Sequence, residues 1–142
     1  MRAPVRVFVD GGSRGNPGPA GLGVHAEANT GQTLADLYAF LGRATNNVAE
    51  YAALIVALTW AAESSHDAVQ IFSDSQLMVR QFNGVYRVKS PGLRPLFERS
   101  KKLAAAIPEL RVSHVPREKN RAADALANRA MDECAGNVTP PV

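Results

Sequence analysis

The stretch Arg6–Gly18 reads R-V-F-V-D-G-G-S-R-G-N-P-G, and the fold turns on how it is read. Val5, Val7 and Val9, with Phe8 among them, make a short β-branched run that reaches Asp10. Gly11, Gly12, Gly15, Asn16, Pro17 and Gly18 then break it. The pattern predicts a strand that stops on a carboxylate. An acid at the carboxyl end of a buried strand, followed by glycines that admit another molecule close to the backbone, suits a metal ion or a phosphate-bearing substrate. A hairpin turn would use the same residues, and the glycines match neither the Walker A pattern nor G-x-G-x-x-G. The decision therefore rests on the rest of the chain.

The 142 residues fit one domain, expected over residues 1–135, with 136–142 and their two prolines expected as a flexible tail. Lys and Arg outnumber Asp and Glu by 16 to 13, so an anionic partner is compatible with the charge but not demanded by it. The single cysteine, Cys134, cannot form an internal disulfide. No apolar run approaches the ~18 residues of a membrane span, and no signal-peptide pattern is present. A cytoplasmic monomer without membrane contact is the expectation.

Beyond the glycine turn, Gly21 to Glu27 and Thr33 to Leu41 read as two strands joined at Asn29, Thr30 and Gly31, which makes an antiparallel meander with the first. From Thr45 the apolar spacing changes to three and four, through Val48, Ala52, Ile55, Leu58 and Ala62, giving a helix with one apolar face in which Tyr51 and Trp60 pack. Ala68 to Ser73 is a second strand that runs into an acid, Asp74, and the helical stretch Ser75 to Phe82 follows, closed by Asn83 and Gly84. Leu93 to Ala106 reads as a helix with Pro95 in its first turn, Glu109 to Val115 as a half-buried strand, and the last helix starts near Asn120 as its cap. The order βββαβααβα predicts an α/β fold, a five-stranded mixed sheet flanked by helices, with the later strands parallel to the first.

If the first and fourth strands are parallel neighbours, Asp10 and Asp74 emerge side by side where open α/β sheets bind ligands. Glu50 near the start of the first helix and Asp124 in the first turns of the last can face the same crevice. Four carboxylates suit oxygen-ligated Mg²⁺ or Mn²⁺. Each acid also has a local use: Asn47 to Glu50 fits a capping box, Asp74 could cap the next helix, and Asp124 complements a helix dipole. None of these explains why two acids directly follow apolar strands.

D-G-G-S-R-G-N-P-G-P-A-G at Asp10–Gly21, T-N-N-V-A-E-Y at Thr45–Tyr51, S-D-S-Q at Ser73–Gln76 and N-R-A-A-D-A-L-A-N at Asn120–Asn128 resemble, in order, the motifs of type 1 ribonuclease H. The resemblance spans nearly the whole chain. It implies the ribonuclease H-like fold and endonucleolytic cleavage of the RNA strand of RNA/DNA hybrids, leaving 5′-phosphate and 3′-hydroxyl ends. It also places Asp10, Glu50, Asp74 and Asp124 as the acids that hold two Mg²⁺ ions, with Mn²⁺ as a substitute. Two such ions about 4 Å apart need no side-chain nucleophile, so Cys134 has no part in the chemistry. By the same resemblance Gly11, Asn16, Asn46 and Gln76 contact the RNA near the scissile phosphate, while Arg43 and Thr45 match a DNA-phosphate pocket.

Two departures from the best-known bacterial pattern stand out. Where many members insert a long basic segment, only Tyr86 to Gly92 with Arg87 and Lys89 is present, so hybrid binding is expected to be weaker and more salt-sensitive. Where many carry a mobile loop histidine, Pro116 to Lys119 has none; Arg117 is expected to act there, and His114 to be a packed or groove-edge strand residue. Two rivals remain open at this point: a domain of the same fold that grips hybrids without cutting, and a nuclease or strand transferase acting on DNA.

Overall fold

The computed structural model describes residues 3–142 and contains the five strands and four helices expected from the sequence. They are β1 (Val5–Ser13), β2 (Gly18–Glu27), β3 (Thr33–Ala44), α1 (Asn46–Glu63), β4 (Ala68–Ser73), α2 (Gln76–Phe82), α3 (Arg94–Ala104), β5 (Glu109–His114) and α4 (Arg121–Glu133). A 3-10 turn at Arg117–Lys119, not foreseen from sequence, precedes α4. The sheet order is β3-β2-β1-β4-β5, with β1 antiparallel to β2 and parallel to β4. The strand alternation and the β-branched residues of β1 and β4 place both at the centre, where their apolar positions are covered.

The first strand does not stop at Asp10. It continues to Ser13, because Gly11, Gly12 and Ser13 pair with Leu22, Gly21 and Ala20 of β2, which itself begins at Gly18. What ends at Val9 is the parallel ladder: Val9 pairs with Ser73, and Asp10 and Asp74 are the next residues of the two central strands. The recurrence of an acid at this point in both strands therefore places the two carboxylates on one edge of the crevice.

Helix α1 also departs from the expected single apolar face. Ala49, Tyr51, Ala52, Ala53, Leu54, Ile55, Val56, Ala57, Leu58 and Ala61 are all buried, on more than one side, because the helix lies between the sheet and α3. Its many alanines allow that close packing on several sides without loss of helix propensity. Tyr51 is buried and donates its hydroxyl hydrogen to Gln81 Oε1 at 2.6 Å; Trp60 packs half-buried at the core margin, both as expected. Helix α4 covers the other face of β2, and Gly23 is what admits it: a Cβ there would lie 2.2 Å from the Ala123 carbonyl oxygen.

The segment 136–142, expected as a flexible tail, carries no regular element; its start lies against β3 and its end reaches α3, where Arg99 Nη1 donates to the Pro141 carbonyl at 2.8 Å. The Asn137 side chain accepts from Tyr38 N–H and donates to the Asp36 carbonyl, both at 2.9 Å, while Asn137 N–H donates to the Tyr38 carbonyl. Val138 packs against the core.

On the face of the sheet beyond the reach of α4, His25 bridges two strands. Its Nδ1 lies 2.6 Å from Asp36 and its Nε2 3.1 Å from Glu27, and Glu27 in turn meets Arg6 at 2.7 Å. Burial opposes a charge on the ring, but the two hydrogen-bonded carboxylates outweigh it and raise the imidazole above its usual value of 6.5. A raised folded-state value means that the bridge stabilises fully below the unfolded value and is lost as pH rises through the folded one. Thermal unfolding of His25→Ala against the parent is therefore expected to show its largest Tm deficit near about pH 6, shrinking steadily towards alkaline pH.

Candidate active site

Three elements bring three acids together. Asp10 on β1, Glu50 in the second turn of α1 and Asp74 just past β4 place one carboxylate oxygen each within 4.8 Å of one another. Asp10 and Glu50 are buried and Asp74 is half-buried. The approach of α1 is what makes this possible. A Cβ on Gly11 would lie 2.2 Å from the backbone C and O of Ala49, so only glycine lets the helix start lie against the strand. The expectation that this glycine admits a ligand is corrected in part: the backbone seated against it is the chain's own.

Two of the three local uses of the acids are filled by other residues, while Asp124 does lie in the first turn of α4. Thr45, not a capping box through Glu50, is the N-cap of α1, its hydroxyl oxygen accepting from Val48 N–H at 3.2 Å. Ser75, not Asp74, caps α2 through Met78 N–H at 3.3 Å. Asn120 sits at the cap position of α4 but makes no side-chain cap bond; its Nδ2 instead donates to the Val9 carbonyl at 2.9 Å, beside Asp10, and the residue is buried. This ties the start of α4 to the centre of the sheet and sets Asp124 one turn further on.

The clustering has an electrostatic cost. Burial first, then the charge of Asp74 and the contact and charge of Asp124, push Asp10 up to about 8, with the Arg117 guanidinium pulling the other way. Glu50 is raised well above its usual range by burial and by the charges of Asp10 and Asp74, against the Gly11 N–H and Ser75 hydroxyl that bond it. Glu50 Oε2 is buried with no hydrogen-bond partner. An unpartnered buried carboxylate oxygen beside two more carboxylates is a donor set for a hard divalent cation. Asp124 faces Asp10 but stands outside the tight triad.

A cleft of about 530 Å³ opens on this cluster. All four predicted acids line it, with Gly11, Asn46 and Arg117. Asn16, Arg43, Thr45 and Gln76 are not part of its lining. Asn16 is linked to it, since its Oδ1 accepts from Asn46 N–H at 3.0 Å. Arg43 and Gln76 are exposed on the flanks and the Thr45 oxygen is engaged in its cap. His114 ends β5 and is exposed rather than packed, since it lies at the strand's last position opposite Ser73, and it does not line the cleft. Sequence reasoning missed Arg14, Asn128 and Met131, which do. Two of them were readable as helix neighbours of Asp124, at four and seven residues on.

A family model described as reverse transcriptase-like matches residues 8–130. Ribonuclease HI of Halobacterium salinarum is 43% identical over 91% of this chain and 65% of its own length. The structure of that archaeon's RNase H1 superposes with a TM-score of 0.88, covering 92% of this chain and 99% of the other. The bifunctional protein Rv2228c of Mycobacterium tuberculosis is 44% identical over 92% of this chain, which spans 36% of that protein. LC11-RNase H1, solved in complex with an RNA/DNA hybrid, is 43% identical with a TM-score of 0.87, over 92% of this chain and 98% of that one.

Because Asp10 holds its proton more tightly folded than unfolded, the cation-free fold loses stability as pH rises from about 4 towards 8. Asp10→Asn removes that dependence. In EDTA near pH 8 the variant is expected to melt above the parent, whereas added Mg²⁺ raises the Tm of the parent and much less that of the variant.

Proposed function

The chain belongs to the type 1 ribonuclease H family, and from that premise we propose that it is an endonuclease hydrolysing the RNA strand of RNA/DNA hybrids. The observation that carries the reading is the crowded triad of the buried Asp10 and Glu50 with the half-buried Asp74, with Glu50 Oε2 left unpartnered. Such an arrangement costs stability and serves no structural purpose of its own. The hybrid-bound state of LC11-RNase H1, at 43% identity, supports the choice of substrate.

Asp10, Glu50 and Asp74, with Asp124 beside them, would hold two Mg²⁺ ions, Mn²⁺ substituting. Bound there, they would supply Lewis acidity for hydrolysis of the phosphodiester to 5′-phosphate and 3′-hydroxyl ends. The remaining tasks fall to side chains and backbone. Asn120 and Gly11 hold the acids in register. Asn46, fixed through Asn16, presents a polar group at the cleft wall, with Gln76 on the adjoining helix start; both suit recognition of 2′-hydroxyls. Arg43 and Thr45 on the flank suit a phosphate of the DNA strand.

Arg117 is placed on the 3-10 turn at the cleft, close enough to Asp10 to lower its proton affinity. A guanidinium cannot serve as a general base at neutral pH, but it pairs with a phosphate oxygen bidentately. We assign it the part expected of a mobile loop histidine in many relatives.

Incubation of a labelled hybrid with Mg²⁺, Mn²⁺ or EDTA tests the activity. Cleavage of the RNA strand in either metal, none in EDTA, and an intact all-DNA duplex are expected; Asp74→Asn should abolish cleavage while leaving the circular dichroism spectrum unchanged. Equal cutting of the DNA duplex would refute the reading. Arg117→Ala is expected to slow turnover about tenfold, ~1.4 kcal/mol of barrier, whereas His114→Ala stays within a few-fold once corrected for folded fraction.

A further inference from the structure

One cation at the cleft has no role in this scheme. Arg14 opens the β1–β2 turn and lines the same cleft as the four acids, where among the described residues the other lining cation is Arg117. Its backbone is fixed by an N–H bond to the Pro19 carbonyl at 2.8 Å. Its Nη2 reaches across to α4, 2.6 Å from Asp132 Oδ1 and 3.4 Å from Asn128 Oδ1. Asn128 is itself oriented by a bond from its Nδ2 to the Asp124 carbonyl at 3.0 Å. Arg14 is thus held by the same helix that presents an acid of the site.

Stability does not explain this arrangement. The Arg14 side chain is 47% exposed and that of Asp132 64%, and an ion pair so open to water contributes little. Both contacts use Nη2, so among the described residues Nε and Nη1 have no recorded partner. Nε–H and the Nη1 hydrogens, on different edges of an already oriented and half-exposed guanidinium, are left as single charged donors, each suited to a phosphate oxygen.

We propose that Arg14, held by Asp132 and Asn128, binds a non-scissile phosphate of the RNA strand and so sets the strand's register over the acids. The inference rests on the hybrid-cleaving function proposed above and adds to it a substrate contact outside the motif acids.

The test compares Arg14→Ala, Arg14→Lys and Asp132→Asn with the parent, using a short labelled RNA/DNA hybrid. Cleavage in Mg²⁺ gives KM and kcat; fluorescence anisotropy in EDTA over a series of KCl concentrations gives affinity and its salt dependence; thermal melts give stability. Arg14→Ala is expected to raise KM about tenfold with kcat within about twofold. It should also make the slope of log K against log[salt] shallower by roughly one phosphate contact. Lysine should restore part of both. Asp132→Asn, which keeps an oxygen acceptor for Nη2 and removes a negative charge beside the phosphate, should leave KM unchanged or lower it.

If Arg14→Ala and Asp132→Asn both lower the Tm while KM, affinity and salt slope stay at parental values, Arg14 is only a tie between the turn and α4, and the inference fails. Parental cleavage with an Arg14-independent KM sinks this inference alone. Absence of parental cleavage together with Arg14-dependent hybrid binding sinks the activity and leaves the contact standing.

Discussion

The close approach of α1 to β1 at Gly11 is the constraint on which the site depends. With 2.2 Å between the place of a would-be Cβ and the Ala49 backbone, the two elements touch main chain to main chain. That contact fixes the height and rotation of α1 against the strand, and the residue after Ala49 is Glu50. Had α1 been kept away by a side chain at this point, Glu50 would open towards solvent and its charge would be hydrated rather than pressed against Asp10. The strain of three crowded carboxylates is thus imposed by packing, and the large alanine-rich core around α1 supplies the stability that tolerates it.

Division of labour among the helix starts matters as much. Each of the three acids near a helix start has a short polar neighbour that is better placed for the local bond. Thr45 caps α1, Ser75 caps α2, and Asn120 forgoes a cap bond to pin α4 to Val9. Glu50 and Asp74 are thereby released from helix-building and are free to face Asp10. Fold and site use adjacent residues for different purposes, which is why a substitution at one of these polar residues would disturb geometry before it disturbed charge.

Much of this was legible from residue order. Alternation in β1 and β4, each meeting an acid where the parallel ladder ends, conveyed both the sheet centre and the pair Asp10 and Asp74. The change of period at Thr45 located α1 and hence Glu50. The rest escaped because its cause lies far along the chain. Gly11 answers to Ala49, Asn120 to Val9, and Arg14 to Asp132, and neither propensity nor spacing contains the register that brings such residues together. The run of β1 past Asp10 was missed for the same reason: glycines break an isolated strand, but here a paired β2 carries them. His114 was placed in a strand correctly, yet its exposure followed from where β5 ends, and an alternating pattern does not reveal that.

Asn137 carries a consequence of a different kind. β3 is twelve residues long and forms one margin of the sheet, so its outward N–H and C=O groups are a template onto which another chain could add a strand. At Tyr38 both of those groups are already taken by Asn137, and the Asp36 carbonyl is taken by the same side chain. One asparagine therefore acts as a two-sided stopper halfway along the margin, dividing it into runs too short to recruit a neighbour in register. The opposite margin, β5, has only six residues and carries the exposed Arg111, so it offers a poor template by length and charge. Guarded in these two ways, the sheet has a built-in resistance to lateral aggregation that is independent of the chemistry at its centre.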